Sequence, residues 1–303
     1  MVKNIAKNKI RDPFGDKVLN VVTIIILTLL FIAVGYPVIY VISSSISSSK
    51  AIEAGLVWLW PVDLSAEAYK FVLAYKDVWV GFRNSFFYCI VDVVFQMSCT
   101  LMIAYPLSRA YTQGRNFYNM FFFLTTRIGP GLIPVFILKC DMGLFNNVWA
   151  ELISGCIGIT HVLILRTAIN SNIPSDLHDA AMIDGASHFQ TVFKLVLPLT
   201  KATISVLAFY CIVGQWNEYF NAMIYLRDKR YYPLQLVLRP IMTAASMVNS
   251  SAAQQSAYQV AADQGLENVR YALIIISTVP MLTLYYFCQK FFKGGMMMGS
   301  IKG

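Results

Sequence analysis

Asp92, Arg127 and Glu218 are charged residues set inside long apolar stretches. Counted along a helix, they lie roughly 17, 15 and 14 Å from one end of their stretches, which is near mid-depth of a bilayer. An unpaired charge there costs at least ~2.5–3.5 kcal/mol, so such groups face protein or water rather than lipid. Around Glu218, helical spacing puts Gly214, Asn217, Asn221 and Tyr225 on one polar face, while Ile212, Trp216, Phe220 and Met223 lie mostly elsewhere. A row of amide, carboxylate and phenol groups can hydrogen-bond the hydroxyls of a ligand, and an aromatic ring can cover its apolar side. The alternative is a buried Arg127–Glu218 or Arg127–Asp92 pair that only ties helices together, because buried charges are generally paired.

Bond-making chemistry has no comparable support. The six cysteines lie in or beside apolar stretches without a C-x-x-C spacing, as small buried hydrophobes do. His161, His178 and His188 lack the spacing and partners of a metal site, so no metal ligands are expected. There is no phosphate-binding Walker loop, no G-x-G-x-x-G and no nucleophile elbow. With no catalytic residue in view, any energy source must be another polypeptide or an ion gradient.

The elements that position these residues follow from composition. Of 303 residues, 57% are hydrophobic and only 13% charged, with a net charge of +8. A soluble domain of that make-up would expose large apolar patches, and a disordered chain is excluded. The basic surplus fits membrane edges rather than nucleic acid. Six stretches reach the ~20 apolar residues a crossing needs: Val18–Ile42, Gly81–Leu107, Phe117–Leu138, Val148–Leu165, Leu199–Leu226 and Val269–Phe292. The first is too long for a signal-peptide core and reads as a retained helix. Lys and Arg favour the segments that are inner if the N-terminus is inside. The expectation is therefore an all-α, multi-pass plasma-membrane protein with both termini cytoplasmic. Residues 1–17 form an N-terminal segment, 18–292 a six-helix domain surrounded by lipid, and 293–303 a cytoplasmic tail. Trp58, Trp60, Tyr69, Tyr75 and Trp79 crowd the first outer loop as an interfacial belt.

The inner stretch Asn172–Pro198 is built unlike an ordinary loop. It reads as two short helices around Gly185, spanning 174–196. Pro174 suits a first helical position, and Asp176 and Asp179 complement the positive N-terminal end. Leu177, Ala180 and Ala181 make a small apolar stripe, and Gly185 stands where positive φ is needed. The second helix, Ser187–Val196, should end before Pro198. A helix lying on the membrane surface would favour Lys and Arg, whereas Asp176, Asp179 and Asp184 dominate here.

At these residues, D-A-A-M-I-D-G-A-S-H-F-Q-T-V-F-K-L-V-L-P from Asp179 to Pro198, the sequence resembles the cytoplasmic EAA loop of ABC importer permeases. Asp179 stands where that pattern has Glu. G-L-I-P at Gly131–Pro134, W-N-E-Y-F-N-A-M-I-Y-L at Trp216–Leu226, Y-P-L-Q-L-V-L-R at Tyr232–Arg239 and the tail K-G-G-M-M-M-G-S-I-K-G are similar to carbohydrate importers, in particular the second permease of the complex-oligosaccharide, maltose-type subgroup. The resemblance implies the type I ABC importer permease fold and a non-catalytic subunit that passes oligosaccharide. It also implies a second homologous permease, two cytoplasmic ATPase subunits that hold the ATP and Mg²⁺, and an extracellular sugar-binding lipoprotein. It further implies that Asp179, Ala180, Ala181, Asp184, Gly185 and Ala186 couple to the ATPase, and that Gly294, Gly295, Met297 and Gly299 form a tail contact. The outer loop Arg227–Asn268, with Gln254, Gln255, Tyr258 and Gln259, would meet the binding protein. Asp92, Arg127, Asn217, Glu218, Asn221 and Tyr225 are the candidates for the substrate pathway. The competing reading is an ion-coupled secondary transporter or channel, which would use an ionisable relay and broken helices such as the one Gly129-Pro130-Gly131 signals.

Overall fold

The computed structural model describes residues 14–244 and 268–296, and among these it is helical, with no strand. Four stretches are long and apolar enough to cross a membrane: Gly15–Ser45, Lys76–Ser108, Val148–Asn172 and Val269–Lys290. A fifth qualifies if His188–Leu199 and Lys201–Asn217, bent by 85°, count as one. The order is α1 (Phe14–Ser45), α2 (Ser49–Glu53), α3 (Glu67–Ala74), α4 (Lys76–Ser108), α5 (Arg115–Thr125), α6 (Leu132–Asp141), α7 (Val148–Gly155) and α8 (Ile159–Asn172). Then come α9 (Ser175–Ile183), α10 (His188–Thr191), a π turn (Val192–Val196), α11 (Leu197–Leu199), α12 (Lys201–Asn217), α13 (Phe220–Tyr225), α14 (Leu234–Ala244) and α15 (Val269–Met296).

Helix α4 is the hub, packed against α8, α12 and α14. Two apolar clusters flank it. One joins Val78 and Cys89 to Trp216, Leu234, Leu238 and Leu273; Trp216 Nε1 donates to Ser277 O at 3.0 Å. The other joins Ala104, Tyr105 and Leu107 to Val162, Leu165, Ile169, Val196 and Leu207, and so ties one end of α4, α8 and α12 to the π turn. By contrast the apolar middle of α1 is exposed, with Phe31 78% accessible, and only its last turn, at Ser43–Ser45, is buried. Such a helix suits hydrocarbon, where its backbone bonds are satisfied internally. At the opposite end, Asn84 Nδ2 donates to Arg230 O and Tyr232 O at 2.8 and 3.0 Å, and Tyr88 OH donates to Tyr231 O at 2.7 Å. These bonds fasten the loop after α13 onto α4.

Three expected elements are interrupted. Phe117–Leu138 is divided into α5 and α6, because Gly131 adopts φ 82°, ψ 164°, a region open essentially to glycine, and Pro130 offers no N–H. Val148–Leu165 is longer than expected and broken between Gly155 and Gly158. Leu199–Leu226 is not continuous. Glu218 leaves the helix at ψ 121° and its Oε1 accepts from the backbone N–H groups of Phe220 and Asn221 at 2.8 and 2.9 Å. A carboxylate that caps a new helix has ended the old one. Helical continuity runs through Pro198 instead of stopping before it, because the π turn ahead shifts the bonding pattern and Thr200 takes the bend.

Candidate functional site

Two polar regions stand out. The first is the loop around α9. Pro174 lies just before the helix at φ −57°, one position earlier than expected, and Asp176 occupies the first turn. The far end closes as a Schellman motif: Ala186 N donates to Ala181 O at 2.9 Å, Gly185 N donates to Met182 O at 3.0 Å, and Gly185 sits at φ 76°. Ser187 and Gln190 then form a reciprocal capping box, with bonds of 3.3 and 2.9 Å, that starts α10. Because these helix ends are satisfied locally, the segment can stand out in water without outside partners.

Its outer surface carries Asp179, Ala180, Asp184 and Gly185, all exposed, with Ala181 and Ala186 half-buried. Sequence reading passed over the apolar residues beside them: Ile183 is 87% exposed and Phe189 73%. Ile183 and Phe189 thus add exposed apolar area beside the aspartates. The inner side is held by His178, also missed because it was weighed only as a metal ligand. It is buried, its ring lies 6.1 Å from that of Tyr105, and both ring nitrogens find no hydrogen-bond partner in the chain. Burial, with the nearby Arg109 charge, pushes His178 down to about 4, so the ring that seats α9 on α4 is neutral at pH 7.

The second region is a polar cavity of about 280 Å³ between α4, α7, α8, α12 and α13. Asp92, Gln96, Glu151, Ser154, His161, Gln215, Glu218 and Asn221 line it. Gln96 Nε2 donates to Gly155 O at 2.6 Å and its Oε1 accepts from Cys211, while Gln215 Nε2 donates to Glu151 Oε1 at 3.2 Å. Asp92 Oδ1 and Glu151 Oε2 are buried without a partner in the chain. Glycine at 155 gives Asp92 its room, since an added Cβ would overlap Oδ1. Of the pathway candidates, Asp92, Glu218 and Asn221 meet here. Asn217 instead faces outward and donates to Val213 O at 2.8 Å. Tyr225 is buried against Phe136, ring to ring at 5.7 Å. Arg127 is exposed, its guanidinium 5.4 Å from the Phe123 ring, and no ion pair joins it to Asp92 or Glu218.

Glu151 and Lys139 are the charged residues that sequence reading missed. Glu151 stands in the first turn of α7, where an acid ordinarily serves the helix dipole near the interface. Here it is buried. Lys139, expected in an outer loop, is buried too, with Nζ donating to Ala150 O at 3.1 Å and to Ser154 Oγ and lying 4.0 Å from the Tyr225 ring centre. Gly294 and Gly295 lie in the last turns of α15, which runs past the expected end at Phe292. Met297, Gly299, Gln254, Gln255, Tyr258 and Gln259 lie outside the described residues.

No family model matches the chain. Individual relatives do. The polygalacturonan/rhamnogalacturonan transport system permease protein YtcP of Bacillus subtilis strain 168 is 29% identical over 267 residues, covering 88% of this chain and 92% of that protein. A chain in the crystal structure of a bacterial ABC transporter involved in the import of the acidic polysaccharide alginate superimposes with a TM-score of 0.84 and 30% identity, covering 93% of this chain and 99% of that one. Protein LplC of the same Bacillus strain is 30% identical over 267 residues, 88% of this chain and 89% of that protein. The chain belongs to the permeases of carbohydrate ABC importers. A permease of this family is a membrane subunit without catalysis of its own, and the reading as an ion-coupled transporter gives way. The broken helices that favoured the latter are part of a fold shared with an ABC importer.

Proposed function

We propose that this permease moves oligosaccharide into the cytoplasm by alternating access, as one of two homologous permeases above a pair of ATPases that bind ATP and Mg²⁺. An external sugar-binding lipoprotein delivers the cargo. The observation that carries the coupling role is the α9–α10 segment, which displays Asp179, Ala180, Asp184, Ile183 and Phe189 outward while the helical run His188–Leu199 meets α12 at 85°. If α12 crosses the bilayer, that angle lays the segment along the membrane plane, where a moving ATPase can push it and the α4–α8–α12 cluster can pass the motion on. Helices α5 and α6 together supply the remaining crossing of a six-span, type I arrangement with both termini cytoplasmic.

The polar cavity forms this subunit's share of the path, with Asp92, Glu151, Gln215, Glu218 and Asn221 offering groups to sugar hydroxyls. Co-expression with the neighbouring ATPase and purification through a tag on this chain should yield a complex that hydrolyses ATP. ATP hydrolysis by this chain alone, or no association with any nucleotide-binding protein, would overturn the reading. The C-terminal segment from Gly294 is a second ATPase contact, supported by resemblance. Deleting Gly294–Gly303 should impair coupled hydrolysis in that complex, and unchanged hydrolysis would remove the tail from the scheme.

A further inference from the structure

We infer that the cavity wall built by this chain selects non-anionic sugar units and turns away uronates, an inference that rests on the reading of the chain as a sugar permease. Asp92 is 4% and Glu151 2% exposed; both line the cavity, and each keeps one carboxyl oxygen without a partner in the chain. Glu218 adds a third carboxyl group at the edge, where its Oε1 already serves α13. Among the described residues, no Lys or Arg lines the space. Lys139 stands behind the wall, committed to Ala150 O, Ser154 Oγ and the Tyr225 ring. Arg127, the residue that could have welcomed an acid, points away.

Carboxyl groups on a cavity wall accept hydrogen bonds from donors. Sugar hydroxyls, or the ammonium of an amino sugar, supply them. A sugar carboxylate brings acceptors and a like charge, and like charges held close in a site cost several kcal/mol. The cavity, about 280 Å³, is near the lower end of ordinary small-ligand pockets, about 300 Å³. It therefore reads a small part of a longer chain. This separates the chain from two of its relatives, whose names carry acidic polymers.

The test uses the complete permease–ATPase complex in lipid nanodiscs, without the binding protein, and two probes of equal length, maltotriose and trigalacturonate. Saturation-transfer NMR titrations give the ratio of their affinities. Maltotriose should bind at least about tenfold more tightly, the equivalent of about 1.4 kcal/mol. The double variant Asp92→Asn, Glu151→Gln, which keeps shape and hydrogen bonding but removes charge, should bring the ratio within about threefold by strengthening trigalacturonate. Size-exclusion chromatography with the partner subunits checks its assembly. If that variant does not assemble, Asn221→Lys, at a half-buried position on the cavity wall, should shift the ratio the same way. Preference of the wild-type complex for trigalacturonate, binding of neither probe, or a ratio that neither variant moves would each overturn the inference. A complex that assembles and hydrolyses ATP yet fails this test leaves the permease reading standing.

Discussion

Asp179 on a nine-residue helix and Asp184 just after it are exposed, in a segment closed at that helix's far end by a Schellman motif and at the next helix's start by a capping box. Asp92 and Glu151 are buried between helices far apart in the chain, each with an oxygen left unanswered. The first region spends its polarity on its own backbone and leaves its surface free for a partner. The second does the reverse, holding acceptors that no group of the chain satisfies. In the proposed scheme, one permease carries a coupling surface held in shape by its own turns and a cavity whose carboxyl groups the chain leaves partly without partners.

The contrast predicts that changes at α9–α10 act on coupling and leave the membrane part folded. Gly185→Val places a β-branched residue at φ 76°, with open space around it, so the penalty is backbone strain of about 1–3 kcal/mol and not a clash. Uptake should fall about tenfold or more while the variant remains in the membrane at normal levels, as checked by transport assays against immunoblots. Normal uptake with normal ATPase association would break the comparison.

In the cavity the effects should be smaller and graded by position. Asn221→Ala removes a lining group worth about 0.5–1.5 kcal/mol, so uptake should drop a few-fold at matched protein level. Asn217→Ala should leave uptake within about twofold, because Asn217 faces outward. Glu218→Ala also uncaps α13, costing about 0.5–2 kcal/mol, so assembled complex should decline along with uptake. Equal losses at Asn217 and Asn221 would mean that the cavity is not the path.

The smallest effect concerns pH. His178 binds a proton near pH 6.5 when its ring is free, but only at about 4 in the folded protein. The unfolded or undocked form therefore takes up the proton first as pH falls. The stability of α9 docking is fully present above about pH 6.5 and is lost as pH drops toward 4. Hydrogen exchange at the α9 amides should be faster at pH 5 than at pH 7 after correction for the intrinsic rate, and His178→Phe should abolish the difference.

What could be read along the chain divides in the same way. The α9–α10 loop was legible because its signals are local: a proline, an acid in the first turn and a glycine at the stop all act within a few residues. The cavity was legible only in part. Asp92, Glu218 and Asn221 betrayed themselves as polar groups in apolar stretches, but Glu151 looked like an ordinary first-turn acid and Lys139 like a loop cation. Their burial is set by how α4, α7 and α12 meet, which no single window contains. The helical wheel drawn through Glu218 failed for a physical reason, since the carboxylate it placed on a polar face is what ends that helix and starts the next.

The π turn at Val192–Val196 has a geometrical effect beyond letting Pro198 through. Its closing bond, from Leu197 N to Val192 O, spans one residue more than an α-helical turn. One added residue rotates everything upstream by about 100° relative to an unbroken helix. The azimuth at which Phe189 is displayed is therefore fixed by a phase offset in the helix behind it. Removing a single residue from that turn would leave the contact surface chemically intact and aim it in the wrong direction.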